Sequence, residues 1–257
     1  MEIRIGTSGY SFEDWKGNFY PDGTDKGKML DYYIKHFPTV EINSTYYHIP
    51  SQAAMNTIAK KAPEGFDFII KVPQSFTHQR DNLESDLAKF SEAIKPLEER
   101  GTLSGLLAQF PYSFKFNQNT LDYVSMINEI LSPHKLFVEF RHNSWVNRNM
   151  YDRLRNENIG YVCVDEPPLN GLLNPDCFAT TDTAYIRLHG RNAREWWNGG
   201  ALRYDYNYSK DELEEWRLKL KKLEEKKKVN KVYMFFNNCH AGHAVANALG
   251  MGQMINI

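Results

Sequence analysis

Cysteine is scarce in this chain. Only Cys163, Cys177 and Cys239 occur in 257 residues, the number is odd, and no C-x-x-C pair exists. A disulfide framework or a Cys-based zinc site is therefore excluded, and free thiols in a reducing cytoplasm are expected. Long apolar runs are also lacking. Stretches such as 232–236 fall far below the ~18 residues of a membrane span, and the opening Met1-Glu2-Ile3-Arg4-Ile5 carries no signal-peptide core. Excess charge of either sign is missing too. Lys plus Arg is 31 against 32 for Asp plus Glu, a net charge of −1, so no global field draws the chain to nucleic acid. No low-complexity segment or linker marks a boundary, and one domain over residues 1–257 is expected. Aromatics, in contrast, are abundant: 5 Trp, 15 Tyr and 15 Phe argue against disorder.

What recurs is a strand pattern followed by a helix pattern. Short β-rich runs lie at 3–7, 39–42, 66–71, 105–109, 136–140, 161–164, 184–188 and 231–236. Most are almost continuously apolar, as parallel strands covered on both faces are. Helical patterns lie at 26–37, 51–62, 83–100, 119–131, 147–158 and 241–250. Another follows Ser209-Lys210-Asp211-Glu212, a capping box, with Leu213, Trp216, Leu220 and Leu223 at helical spacing and Glu215–Lys219 and Glu224–Lys228 as i,i+4 pairs. In the 119–131 segment Leu121, Val124, Ile127 and Leu131 form one stripe, which Pro133 ends. Eight β and about eight α segments in alternation predict an α/β fold, a single (β/α)8 TIM-like barrel with parallel strands inside and helices outside. A doubly wound open sheet is the alternative, but no G-x-G-x-x-G follows the first run.

Barrels of this kind place their sites at the C-terminal ends of the strands. Those ends are polar here. Strand two closes on Glu41, Asn43 and Tyr46, strand three on Lys71 before His78, strand four on Gln109, and strand five on Glu139, Arg141, His142 and Trp145. Strand six closes on Asp165-Glu166, strand seven on Arg187 and His189, and strand eight on Asn237 and Asn238. Two-residue spacing puts Glu41 with Asn43, Glu139 with Arg141, and Arg187 with His189 on common faces. Glu41, Glu139 and Asp165 would then oppose Lys71, Arg141 and Arg187 in one mouth, while Cys163 lies inward but lower.

The same residues carry a resemblance. Ile5-Gly6-Thr7-Ser8-Gly9-Tyr10, Trp15 and Phe19-Tyr20-Pro21, Val40 through Tyr47, Lys71 with Thr77-His78, Gln109-Phe110-Pro111, Val138 through His142 with Ser144-Trp145, Asp165, Arg187 through Gly190, and Phe236-Asn237-Asn238 with Ala246-Asn247-Ala248 resemble, in order along the whole chain, the YecE-like family (domain of unknown function seventy-two). The resemblance implies a TIM-like barrel and names no reaction, because the family has no established activity. Two positions depart from the pattern: Tyr10 stands where Trp is frequent, and Cys239-His240-Ala241-Gly242 stands where an acidic residue is common.

Three readings of the mouth remain open. The first is a closed ionic network with no chemistry, although buried ion pairs add little net stability. The second is a divalent metal on Glu41, Glu139, Asp165 and His189, against which stand three cations in the same pocket and the lack of H-E-x-x-H. His240 and His243 are read as capping the last helix or facing solvent. The third reading is favoured. An anionic or phosphorylated small molecule or nucleotide is held by Arg141, Arg187 and Lys71, with Asn43, Tyr46, His78, Gln109, Trp145, Asp165, Asn237 and Asn238 as further ligand contacts. Glu41 or Glu139 would act as base and His189 or His142 as acid. An enzyme with no resident cofactor is favoured over a binding protein, with hydrolase, isomerase and lyase chemistry open. A retaining glycosidase is disfavoured by the separation of strands two and five, and a Schiff-base Lys71 by its carboxylate neighbours.

Loops add aromatics. Residues 191–208 carry Arg194, Trp196, Trp197, Arg203, Tyr204, Tyr206 and Tyr208, and the loop after strand one carries Phe12, Trp15, Phe19 and Tyr20. These either pack over the barrel or wall a cleft that stacks a base or sugar, so nucleic acid is kept as a partner but not favoured, and no membrane role is expected. The Lys-rich stretch 219–231 alternates with glutamates and reads as a solvated helix face.

Overall fold

Each of the eight β-rich runs forms a strand, and each strand runs parallel to its neighbours. A computed structural model describes residues 1–256. The strands are β1 Glu2–Thr7, β2 Thr39–Ile42, β3 Asp67–Lys71, β4 Leu103–Gln109, β5 Leu136–Glu139, β6 Gly160–Asp165, β7 Thr183–Leu188 and β8 Lys231–Phe236. Their order is β1-β8-β7-β6-β5-β4-β3-β2. The ring closes at the β1–β2 seam through a single bridge, Ser8 opposite Glu41, and the Gly9 N–H to Glu41 carbonyl bond of 2.8 Å. A glycine is required at that seam, because a Cβ on Gly6 would lie 2.3 Å from the Thr39 carbonyl oxygen.

Seven α-helices surround the ring among the described residues: α1 Met29–Tyr33, α2 Gln52–Lys61, α3 Leu83–Glu99, α4 Gln118–Ile130, α5 Arg148–Asn156, α6 Lys210–Glu225 and α7 His243–Met254. The Ser209–Glu212 capping box is formed, and Leu213, Trp216, Leu220 and Leu223 are the buried face of α6. The i,i+4 pairs on that helix are replaced by longer-range partners. Glu215 meets Arg191 at 2.9 Å, and the Lys219 ammonium lies over the Trp216 ring and donates to the Pro175 carbonyl. The α4 stripe is buried as its periodicity predicts, with a second capping box at Asn117 and Thr120.

The strict alternation predicted from the sequence fails once. Between β6 and β7, residues 166–182 contain no helix. An aromatic stack does the covering there: Phe178 lies 4.7 Å from the Tyr161 ring and 5.0 Å edge-on from Tyr151 of α5. Cys163 is on this outer side, its thiol against the Phe178 carbonyl, and not inside the barrel. All three cysteines are free. Among the described residues, no helix is long and apolar enough to cross a membrane.

Inside the ring, rings pack on rings. Tyr185 lies 4.8 Å from Phe137 and 5.3 Å from Phe235. Below them, Asp67 accepts from Tyr233 Oη at 2.7 Å and from Ser104 at 2.7 Å. Phe137 fits only because Gly105 and Gly160 flank it; a Cβ on Gly160 would lie 2.3 Å from Phe137 Cδ1. Gly160→Ala should therefore overpack the barrel and cost ~1–3 kcal/mol, read as a lower urea midpoint. In a Phe137→Leu background the same change should cost clearly less. An equal cost in both backgrounds would show that Phe137 is not what the added methyl strikes.

Candidate functional site

Alternation along the parallel strands turns Ser8, Glu41, Lys71, Gln109, Glu139, Arg187 and Asn237 toward the upper interior of the ring. Arg187 is the centre. Its Nη1 donates to Glu139 Oε2 at 2.7 Å and its Nη2 to Glu41 Oε1 at 2.6 Å, with Ser8 Oγ at 3.4 Å. Tyr185 Oη donates to the second Glu41 oxygen at 2.5 Å. All of these groups are buried. Ions so enclosed persist only in pairs. Burial by itself would raise the Glu139 carboxyl, but Arg141 and Arg187 hold it well below the usual carboxylate range.

A second layer sits above. Arg141 Nε approaches Glu139 Oε1 at 2.6 Å and its Nη1 meets Glu166 Oε2 at 3.2 Å. Burial pushes the Glu166 carboxyl up to about 7, although Arg141 and the Leu173 amide act in the opposite sense. His189 Nε2 lies 3.2 Å from Glu139 Oε1, and its Nδ1 lies 2.8 Å from the Asn237 side-chain amide. With Nδ1 accepting from Asn237, the ring proton is assigned to Nε2, facing Glu139. Burial, then Arg141, lower His189 to about 3, so the ring is neutral at pH 7. Lys71 Nζ donates to Gln109 Oε1 at 2.8 Å and sits 4.4 Å from the Tyr46 ring centre. Burial first, then Arg187, lower the Lys71 ammonium to about 7, with Glu139 and Glu41 pulling the other way. His78 packs edge-on to Tyr46 and is lowered to about 4 by burial and by Lys71.

Over this floor lie two adjoining chambers. The outer has a volume of about 270 Å³ and the inner about 210 Å³; both have Tyr47, Lys71, Gln109, Arg141 and Tyr204 in their walls. Trp196, Trp197 and Arg203 from the loop after β7 roof the outer chamber. Asn43, Arg187 and Asn237 line the inner one. Arg187 Nε and Asn43 Oδ1 are buried without a hydrogen-bond partner in the protein. A larger hollow of about 770 Å³ lies outside the ring by α4 and α5. No strand end reaches it, and its Arg153 is already paired with Asp122 and Glu157.

The structure brings Asn43, Tyr46, Lys71, His78, Gln109, Arg141, Arg187 and Asn237 to the cavity walls. Glu41, Glu139 and His189 lie just beneath, behind the arginines. Four predicted contacts are elsewhere. Asp165 faces outward, where Arg191 grips both its oxygens at 2.8 Å and Trp216 Nε1 donates at 2.5 Å. The inward acid of strand six is its neighbour Glu166, one position on, so Glu41, Glu139, Asp165 and His189 do not converge as a metal set. Asn238 also faces outward and ties the Tyr206 carbonyl to Asn247. Trp145 is fully buried, stacked 3.7 Å from Phe140, with Nε1 donating to the Phe114 carbonyl. His142 caps the turn Asn143–Trp145 by accepting from the Ser144 amide and sits behind Tyr112. Of the aromatics after β1, only Phe12 reaches the cavity; Trp15 and Tyr20 are buried, and Phe19 packs on Tyr32 and His36. Sequence reasoning missed Ser8, Tyr185 and Glu166. Two-residue alternation back from Arg187 reaches Tyr185, whereas Glu166 adjoins Asp165 and alternation alone does not choose between them.

A closed parallel ring with a buried ionic floor and a polar cavity at its C-terminal rim defines a TIM-like barrel protein with a rim site. A family model described as "Protein of unknown function DUF72" matches residues 4–257, and the chain belongs to that family. It is 30% identical to the UPF0759 protein YunF of Bacillus subtilis (strain 168), over 99% of this chain and 95% of that one. Among solved structures, a DUF72 family protein from Thermotoga maritima MSB8 is 41% identical, with a TM-score of 0.91 and full coverage of both chains. A DUF72 family protein from Enterococcus faecalis V583 is 27% identical, with a TM-score of 0.87, over 99% of this chain and 96% of that one.

Removing the central cation should be severe. Arg187→Met leaves buried Glu41 without a cation and Glu139 with Arg141 alone, and should cost about 3–5 kcal/mol. The deficit should shrink with acid. Unpaired buried carboxyls have folded pKa values above the unfolded ~4.3, so the folded state binds the extra protons and gains stability as pH falls. Urea unfolding at pH 5 and pH 8 measures this; a small, pH-independent loss would mean that Arg187 does not neutralise Glu41 and Glu139.

Proposed function

We propose that the rim cavity binds a small anionic molecule, best a phosphorylated one with a sugar-like body, and moves a proton on it through Lys71. One observation carries the reading. Lys71, Arg141, Arg187 and Arg203 line the two chambers, and no Asp or Glu does. The balancing carboxylates stand behind the arginines, so they orient the guanidinium forks and leave the open side positive. Such forks match the oxygens of phosphate or carboxylate. The unpartnered Arg187 Nε and Asn43 Oδ1 are groups that a ligand would satisfy. Tyr46, Tyr112, Trp196 and Tyr204 supply faces for an apolar sugar surface.

The acid–base roles shift with the geometry. Glu41 and Glu139 are buried behind cations, and His189 stays neutral at pH 7 because burial and Arg141 lower it to about 3. Lys71 is the group in the wall that exchanges a proton near neutrality, at about 7. Reaction type stays open among isomerase, lyase and hydrolase. A nucleotide is the second reading, favoured by Tyr47 and Trp197, which are 77% and 48% exposed at the rim and offer stacking faces.

A thermal-shift and calorimetric titration tests this with inorganic phosphate, sugar phosphates, a sugar sulfate and nucleoside monophosphates. A ligand at about 100 times its Kd adds ~2.7 kcal/mol, a rise of roughly 5–11 °C for a chain of this size. Lys71→Met and Arg203→Gln should each weaken binding about tenfold or more, the ~1.5–3 kcal/mol of a charged hydrogen bond. With the sulfate ester, whose own charge is constant, affinity should fall as pH rises above about 7, because Lys71 loses its proton. That slope should vanish in Lys71→Met. No response to any anion, or one unchanged in both variants, would sink the proposal.

A further inference from the structure

We infer that Asp205, His240 and His243 form a binding site for a divalent transition-metal ion of the zinc class, which clamps the roof of the rim cavity to the turn after β8. The three come from two separate segments. Asp205 follows the single turn Gly200–Tyr204, which carries the roof residues Arg203 and Tyr204. His240 and His243 span the short turn that opens α7. One ligand atom from each lies within 4.8 Å of the others. Asp205 Oδ1 is 3.2 Å from His240 Nδ1 and 3.5 Å from His243 Nε2. Tetrahedral zinc with bonds of about 2.0–2.1 Å separates its ligand atoms by about 3.3 Å, so both distances already match. Two imidazoles and one carboxylate are the donor types of an open zinc site with a position left for water.

Both halves are held in advance of any ion. The turn between the histidines has two successive residues with positive φ, Ala241 at 51° and Gly242 at 81°. Asn18 donates to the Ala241 carbonyl at 3.1 Å, and Asp14 accepts the Ala241 amide at 2.7 Å, which fixes this conformation from the loop after β1. On the other side, Asn192 donates to the carbonyls of Leu202 and Asp205 at 3.1 Å each. None of the three ligands lines the cavity, so the site is independent of the anion reading. All three are partly exposed, which leaves an entry path.

The experiment is a calorimetric titration of the full chain with Zn²⁺, and Co²⁺ absorption spectroscopy, on wild type, Asp205→Asn and the double variant His240→Asn/His243→Asn, with melting curves to confirm folding. Wild type should take one equivalent, and each variant should lose tenfold or more in affinity. The Co²⁺ complex should show d–d bands without thiolate charge transfer, separating this site from the neighbouring Cys239. Hydrogen exchange over residues 199–206 should slow on adding Zn²⁺ in wild type and not in the double variant. Equal Zn²⁺ affinity in wild type and double variant, a thiolate band, or binding without protection of 199–206 would each overturn the inference.

Discussion

One buried guanidinium holds the upper barrel together. Arg187 reaches across the ring from β7 to Glu139 on β5 and Glu41 on β2, and through Glu41 to Tyr185 and toward Ser8 on β1. Four strands that share few backbone contacts are thereby tied by charge. An apolar plug would close the same space at less desolvation cost. The arrangement therefore makes sense as a support for something above it. Hydrogen bonds to Glu139 and Glu41 fix the orientation of Arg187, and one to Glu166 holds Arg141. A preorganised pair of guanidinium groups is what the proposed anion site would require.

The sign of the cavity depends on that layering. A tally of strand-end residues balances three acids against three bases, which describes no field at all. In space the acids and bases are at different depths, and only the bases meet the cavity. Burial also sets the titration behaviour of neighbours. It lowers both His189 and Lys71 by a similar amount, and because they start from different ordinary values His189 falls to about 3 and Lys71 to about 7.

Much of the fold was legible, because its signals are local. Runs 39–42 and 231–236 coincide with β2 and β8 to the residue, and the Ser209–Glu212 box opens α6 where its spacing predicts. Less of the site was legible, because facing is not local. Strand six ends in two acids, and alternation alone does not say which of them points inward. The decision is made by Arg191 and Trp216, 26 and 51 residues away from Asp165. Trp145 and Asn238 went the same way: Trp145, in the turn after β5, gives its Nε1 to the Phe114 carbonyl, and Asn238, just past β8, donates to Asn247 of α7. The missing helix between β6 and β7 was announced by breakers, Pro167-Pro168, Asn170-Gly171 and Asn174-Pro175, which the regular β/α alternation overrode. The pairing of Asp205 with His240 and His243 joins two loops and has no sequence period at all.

The order of strands around the ring has a temporal consequence. β1 pairs along its whole length with β8, Glu2 opposite Lys231 through Thr7 opposite Phe236, while its contact with β2 is a single bridge. On a ribosome, the first strand emerges with almost no partner and must wait for residues 231–236 before its main ladder can form. Contacts this distant in sequence are slow to close. Ser8, at the end of that strand, and Asn237, at the end of β8, both belong to the inner chamber. The inner chamber is thus assembled only when the ring is sealed, and a nascent or truncated chain lacking β8 is deprived of both its main β1 ladder and this chamber at once.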